Sequence, residues 1–148
     1  MEGSGAVRLE PVVEAMPAEF DRLRNESRAE GYRFLERLSN DWASGAMRFD
    51  QSDETLLAAY VGQVLAGIGG ITVDPEIPEA LRMRRFYVRS AFRRTGIGRA
   101  IAETLLESAL RKVGVVTLNA GPSSYRFWEA LGFVPDDRAG HTHVMRKR

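Results

Sequence analysis

The sequence predicts an α/β or α+β fold in one domain, with helices alternating with strands around a mixed sheet. Three observations predict it. Segments of helical period alternate with β-rich runs along the chain. A length of 148 residues suits a single sizeable core. No linker, repeat or low-complexity block divides the sequence.

The elements follow in order. Residues 1–5 read as a disordered tail, and residues 7–10 as a short strand. Residues 17–30 and 32–42 read as two helices interrupted at Gly31; Leu35, Leu38 and Trp42 form an apolar stripe on the second, with Phe34 beside it. After a break at residues 43–45, residues 55–61 and 63–73 form a hairpin around Gly62. Gly69-Gly70 inside its second strand predicts a bulge or a close backbone approach. Residues 74–78 form a loop, and residues 81–88 the next strand. Residues 98–112 form a helix with Ile101, Leu105 and Ala109 on one stripe, flanked by Ala102 and Leu106. Arg99/Glu103 and Glu107/Arg111 are i,i+4 charge pairs on its other side. A buried strand at residues 115–119 and a short helix at 123–131 follow, the helix stopping at Gly132 as its C′ residue. Residues 133–134 and 141–145 supply two closing strands.

Composition excludes several classes. Hydrophobic residues at 44% and charged residues at 28% are ordinary for a soluble globular protein. No apolar run is long enough to span a bilayer and no signal segment opens the chain, so a cytoplasmic, non-membrane protein is expected. The absence of Cys removes disulfides, thiolate nucleophiles and zinc–thiolate sites. A net charge of +1 argues against general nucleic-acid affinity.

The chemistry concentrates at Arg93-Arg94-Thr95-Gly96-Ile97-Gly98-Arg99. A strand that delivers a glycine-rich turn into a helix N-terminus gathers unpaired N–H groups and the positive end of the helix dipole. Gly96 and Gly98 let backbone approach a phosphate, and Arg93, Arg94 and Arg99 add cationic forks. The segment reads as a diphosphate cradle. It is neither a Walker A loop, since no Gly-x4-Gly-Lys-Ser/Thr string occurs, nor the dinucleotide fingerprint, since Ile101 stands where the third small residue belongs.

Arg93-x-x-Gly96-x-Gly98 resembles the pyrophosphate loop of the GNAT N-acetyltransferase superfamily, Arg/Gln-x-x-Gly-x-Gly/Ala. The lead-in Arg85-Phe86-Tyr87-Val88-Arg89 is similar to that family's fourth strand, and Phe127-Trp128-Glu129-Ala130-Leu131-Gly132-Phe133 to its Phe-Tyr-x-x-x-Gly-Phe segment. Order and spacing match over residues 80–135. The resemblance selects a mixed, mostly antiparallel central sheet flanked by helices, in one domain over residues 6–148.

It implies acetyl-CoA as acyl donor and no metal. The cofactor set carried over is Phe86, Tyr87 and Val88 on the strand, Arg93, Arg94, Thr95, Gly96, Ile97, Gly98 and Arg99 in the loop, and Asn119, Ser124 and Trp128 beyond it. The backbone N–H at Val88 is the implied oxyanion donor. The implied acceptor is a primary amine on a small molecule; a protein N-terminus or lysine, and a non-catalytic acyl-CoA-binding module, are the alternatives. Relatives often dimerise through late strands, which implies a homodimer.

One departure is material. The family's Tyr is Trp128 here, and an indole cannot act as a general acid near neutral pH. Tyr125, three residues earlier on nearly the same helix face, is the substitute candidate acid. Ser123 and Ser124 are expected to cap this helix. No general base is assigned: Glu30, Asp41, Glu76 and Glu79 read as solvated carboxylates.

Two clusters remain. Strand alternation puts Arg82 and Arg84 on one face and Arg85 on the other, with Arg33, Arg37 and Arg48 earlier in the chain. A solvated basic edge is the expectation, because most arginines are exposed; lining of an acceptor pocket would instead imply a carboxylate or phosphate on the substrate. His141 and His143 share a strand face without a third ligand and read as surface residues.

Overall fold

The computed structural model describes residues 6–138 and 140–147; the expected tail at residues 1–5 lies outside them. The elements run β1 (Val7–Pro11), α1 (Phe20–Ala29), α2 (Phe34–Ser44), β2 (Thr55–Val61), β3 (Val64–Val73), β4 (Leu81–Val88), α3 (Ile97–Leu110), β5 (Val115–Leu118), α4 (Tyr125–Ala130), β6 (Val134–Pro135) and β7 (His143–Arg146). Short 3-10 turns at Ser90–Phe92 and Pro122–Ser124 precede α3 and α4. The strands form one sheet in the order β1-β2-β3-β4-β5-β7-β6, antiparallel except between β4 and β5.

Both faces of the sheet are covered. Ile97, Ile101, Ala102, Leu105, Leu106 and Ala109 of α3 pack with Trp128 and Phe133 against Leu57, Ile71 and Met83. On the other face Phe20 and Leu23 of α1 join Leu35, Leu38 and Trp42 of α2 over Leu56, Ala58, Ile68 and Tyr87. A central strand with cover on both sides alternates its side chains between two cores rather than between core and water. This is why β3 and much of β4 are buried at consecutive positions.

The Gly69-Gly70 pair does make the close approach its composition predicts. A Cβ on Gly69 would lie 2.9 Å from the Phe86 ring, and one on Gly70 would lie 2.6 Å from Phe49. The register between β3 and β4 shifts at this point. Gly70 faces Arg84 and Ile68 faces Tyr87, so Arg85 and Phe86 together oppose Gly69. That is a β-bulge on β4, with Arg85 at φ 61°.

The bulge corrects the expected faces of the arginines. Simple alternation separates Arg84 from Arg85. The extra residue instead brings Arg85 onto the α2 side, where it reaches Asp41 at 3.4 Å, while Phe86 turns to Trp128 on the opposite face. The solvated basic edge is also corrected. Arg82 is 5% exposed and ion-paired to Asp74 at 3.2 Å, and Arg84 and Arg85 are half-buried.

The histidines are not at the surface either. His141 and His143 are buried at 4% and 1% exposure. The His141 ring lies 2.9 Å from Asp136, and the His143 ring lies 2.8 Å from both Glu129 and the Thr142 hydroxyl. Asp136 is held well below the usual carboxylate range by Arg138 and His141. Strand β7 lies between β5 and β6 instead of at the sheet edge, and this internal position buries His143, while His141 stands just before the strand against Asp136. No group of three or more His, Asp or Glu among the described residues could hold a metal ion.

Candidate active site

Strands β4 and β5 pair only over Leu81–Met83, opposite Val116 to Leu118. Beyond Met83 the two strands part, and residues 84–88 of β4 have no neighbour on that edge. The orientation of the open backbone follows from the register. Arg89 N–H donates to the Ala66 carbonyl at 2.9 Å, which makes Val88 opposite Gly67 a non-hydrogen-bonded pair. The N–H and C=O of Val88 therefore point away from β3, into the open seam. Its carbonyl accepts from Arg93 Nε at 2.9 Å.

The seam runs into the glycine loop. Arg93 is extended, Arg94 and Gly96 hold φ of 64° and 89°, and α3 begins at Ile97. Left-handed backbone at two nearby positions turns the chain sharply. The first N–H groups of α3 lack intrahelical acceptors, no side chain caps them, and no carboxylate occupies the first turn. The positive end of the helix is left uncompensated. Space above Gly96 is open, whereas a Cβ on Gly98 would meet the Phe127 ring at 3.3 Å.

The arginines of the loop divide. Arg93 is committed to the protein: besides Val88, its Nη2 donates to Glu30 at 2.6 Å, and its guanidinium stacks over Tyr87 at 5.3 Å. Arg99 pairs with Glu103 at 2.9 Å. Arg94 is exposed and forms no ion pair among the described residues. The Thr95 hydroxyl donates to the Phe92 carbonyl, closing the turn, and the Ile97 side chain is buried in the core. What Ile97 and Gly98 can present is backbone.

A cavity of about 280 Å³ opens at the parted strands. Phe86, Trp128, Asn119 and Ser124 line one part of it; Arg37, Arg82, Arg84 and Arg85 line another. Trp128 is 6% exposed and meets Phe86, Phe127 and Phe133 edge-on at 4.9, 4.8 and 5.5 Å. It serves as a rigid wall. Ser124 occupies the N-cap position of α4, but its hydroxyl donates back to the Gly121 carbonyl at 3.0 Å and caps nothing. Tyr125 is not among the lining residues; its ring packs against His143 at 4.8 Å. A larger groove of about 490 Å³ lies beside β6 and β7, lined by aliphatic side chains together with Arg146 and Lys147.

Two carboxylates that read as loop or surface positions organise the site. Glu30 accepts from the Tyr87 hydroxyl at 2.8 Å as well as from Arg93, and its pKa is lowered, chiefly by Arg93. Burial and Glu30 together push the Tyr87 phenol far above its ordinary value, so it stays protonated. Asp74 accepts the N–H groups of Glu76 and Ile77 at 2.7 and 2.9 Å, and its other oxygen accepts from Thr117 and Arg82. Burial pushes the Asp74 pKa up, but these donors outweigh it and hold it below the ordinary value. An Asp opening the loop at residues 74–78 was the available signal for the second network. No local pattern marks Glu30, because its partners lie 57 and 63 residues away.

The sheet is shared with solved proteins. A candidate acetyltransferase from Exiguobacterium sp. superposes with a TM-score of 0.87 at 23% identity, covering 97% of this chain and 95% of that one. An acetyltransferase from Thermus thermophilus gives 0.70 at 19% identity, covering 98% and 99%. A Bacillus subtilis acetyltransferase, solved in complex with CoA, gives 0.62 at 15% identity, covering 88% and 78%. At these identities the likeness is one of fold. No curated protein sequence matches the chain. The model of the acetyltransferase (GNAT) domain family does match, over residues 23–145, and so takes in β4, the glycine loop, α3 and α4. The chain therefore belongs to the GNAT acetyltransferase family, whose acyl donor is acetyl-CoA.

Proposed function

We propose that the protein transfers the acetyl group of acetyl-CoA to a primary amine of a small molecule. One observation carries this reading: the seam between β4 and β5 opens at Arg84 and leads directly to an uncapped helix N-terminus. The seam suits an extended arm with amide groups, and the loop suits a diphosphate. The B. subtilis relative solved with CoA supports the same ligand class.

The chain's own groups divide the work. Backbone N–H groups from Gly96 to Arg99 hold the pyrophosphate, with Arg94 as the exposed cation; Arg93 braces the loop from behind. The open edge of Phe86, Tyr87 and Val88 pairs with the pantetheine arm, and Asn119, Ser124 and Trp128 form the opposite wall. The Val88 N–H, aimed into the seam, stabilises the oxyanion formed when the amine nitrogen attacks the thioester carbon. A fixed donor of this kind lowers the barrier by ~3 kcal/mol. The C–S bond then breaks and CoA leaves as thiol or thiolate.

The nitrogen must shed two protons, one before attack and one as the adduct becomes an amide, while the departing sulfur takes up one. An alkylammonium with a pKa of about 10 must first lose a proton. The cavity lining contains no carboxylate or imidazole, and Tyr87 is held protonated, so water at the cavity mouth removes it. Tyr125 is the side chain proposed to return a proton to the departing sulfur. The lack of an acid or base in the lining favours one second reading, an acyl-CoA-binding module without turnover.

Calorimetric titration with acetyl-CoA, CoA and ATP, followed by an amine panel, tests the proposal. Micromolar binding of both CoA species with weaker ATP, and acetyl transfer to small amines, is the expected result. Binding without transfer selects the module; transfer confined to peptides selects a protein acceptor.

A further inference from the structure

The arginine-lined half of the cavity remains unexplained by acetyl-CoA. Four guanidinium groups, from Arg37, Arg82, Arg84 and Arg85, line it. Two carboxylates answer them: Asp74 pairs with Arg82 and Asp41 with Arg85. Arg37 and Arg84 form no ion pair among the described residues. The Nε atoms of Arg84 and Arg85 are both buried without a hydrogen-bond partner. A buried, unmatched guanidinium is costly to keep, and proteins that keep one place a counter-charge against it.

The arrangement is built rather than incidental. Arg85 reaches this side only because the β4 bulge adopts φ 61°, a conformation L residues rarely hold without a compensating function. Burial first, and then the neighbouring Arg85 and Arg82, depress the Arg84 pKa, and Asp74 and Asp41 offset this only in part. The same cavity includes Phe86 and Trp128 at the parted strands. A ligand seated on these arginines would hold its other end near the thioester.

We infer that the acceptor is an amine that also carries an oxyanion, a carboxylate or phosphate, which is received by Arg84 and Arg85 with Arg37 at the entrance. Guanidinium forks match both groups bidentately, and the unmatched Nε–H donors are the atoms left to be filled. The inference rests on the transferase reading for its word acceptor, but the anion site itself does not.

Matched pairs test it: β-alanine against its amide, and phosphoethanolamine against ethanolamine. Each is titrated calorimetrically into CoA-loaded protein and assayed for acetyl transfer. The anionic member of at least one pair is expected to bind and react about tenfold to a hundredfold better, the range for losing one charge-assisted contact. Whichever pair shows the larger ratio identifies carboxylate or phosphate. Arg84→Gln should collapse that ratio while acetyl-CoA affinity holds, and Arg37→Gln, on an exposed helix position, should reduce it with no risk to the core. Equal binding within both pairs, or a ratio that survives both substitutions, overturns the anion site. Anion-selective binding without any acetyl transfer keeps the site and removes the transferase reading instead.

Discussion

Arg93 donates to Glu30 at 2.6 Å, tying the first residue of the glycine loop to the residue that ends α1. With Tyr87 donating to the same carboxylate at 2.8 Å, three elements meet at one side chain. The loop is thus shaped from behind by a contact that no phosphate need touch. Glu30→Gln is expected to cost about 0.5–1 kcal/mol, since the pair is partly solvated. It should also weaken acetyl-CoA binding several-fold. Denaturant unfolding and calorimetry read the two effects; unchanged affinity would show that the loop holds its shape without the brace.

Gly96 sits at φ 89° with open space above it. A side chain there meets no neighbour but forces a left-handed conformation, costing about 1–2 kcal/mol and more for a β-branched residue. Gly96→Val should therefore abolish acetyl-CoA binding in a protein that still folds. A folded variant with normal affinity would place the cradle elsewhere.

Gly69→Ala creates a different problem, because its Cβ would lie 2.9 Å from the Phe86 ring. Displacing Phe86 disturbs the bulge and the wall formed with Trp128. We expect about 1–3 kcal/mol of destabilisation and a lower kcat. Full activity in the variant would mean that Phe86 shifts without consequence at the seam.

Asp74 is 3% exposed and serves four donors. Removing it by Asp74→Ala takes its carboxylate partner from the buried Arg82, at about 3–5 kcal/mol. Because the folded pKa is depressed, this stability is fully present above the unfolded value near 3.8 and is lost as pH falls through the folded value. Unfolding curves for both proteins should differ most above pH 4 and converge in stronger acid. A constant difference across that window would separate the loss from ionisation.

Tyr125→Phe examines proton return to sulfur. If the phenol serves, kcat falls about tenfold to a hundredfold or more, with acetyl-CoA affinity intact. Its ring packs on His143 outside the cavity lining, so an unchanged kcat would mean that the thiolate departs unprotonated.

The sequence by itself determined the element order, the hairpin at Gly62, the glycine loop and the covered helix faces. Those features depend on side-chain period and on local turn chemistry, which are written within a few neighbouring residues. It also marked Gly69-Gly70 as a close approach, though not what approached. Only the tertiary structure decided the face of Arg85, because one bulged residue inverts the strand's alternation without any composition signal. Burial of His143 likewise follows from β7 lying inside the sheet, a matter of strand order. Glu30 and Asp74 acquire their roles from partners up to 63 residues distant. A carboxylate's charge is legible in a sequence, but the cation that answers it is chosen by the fold.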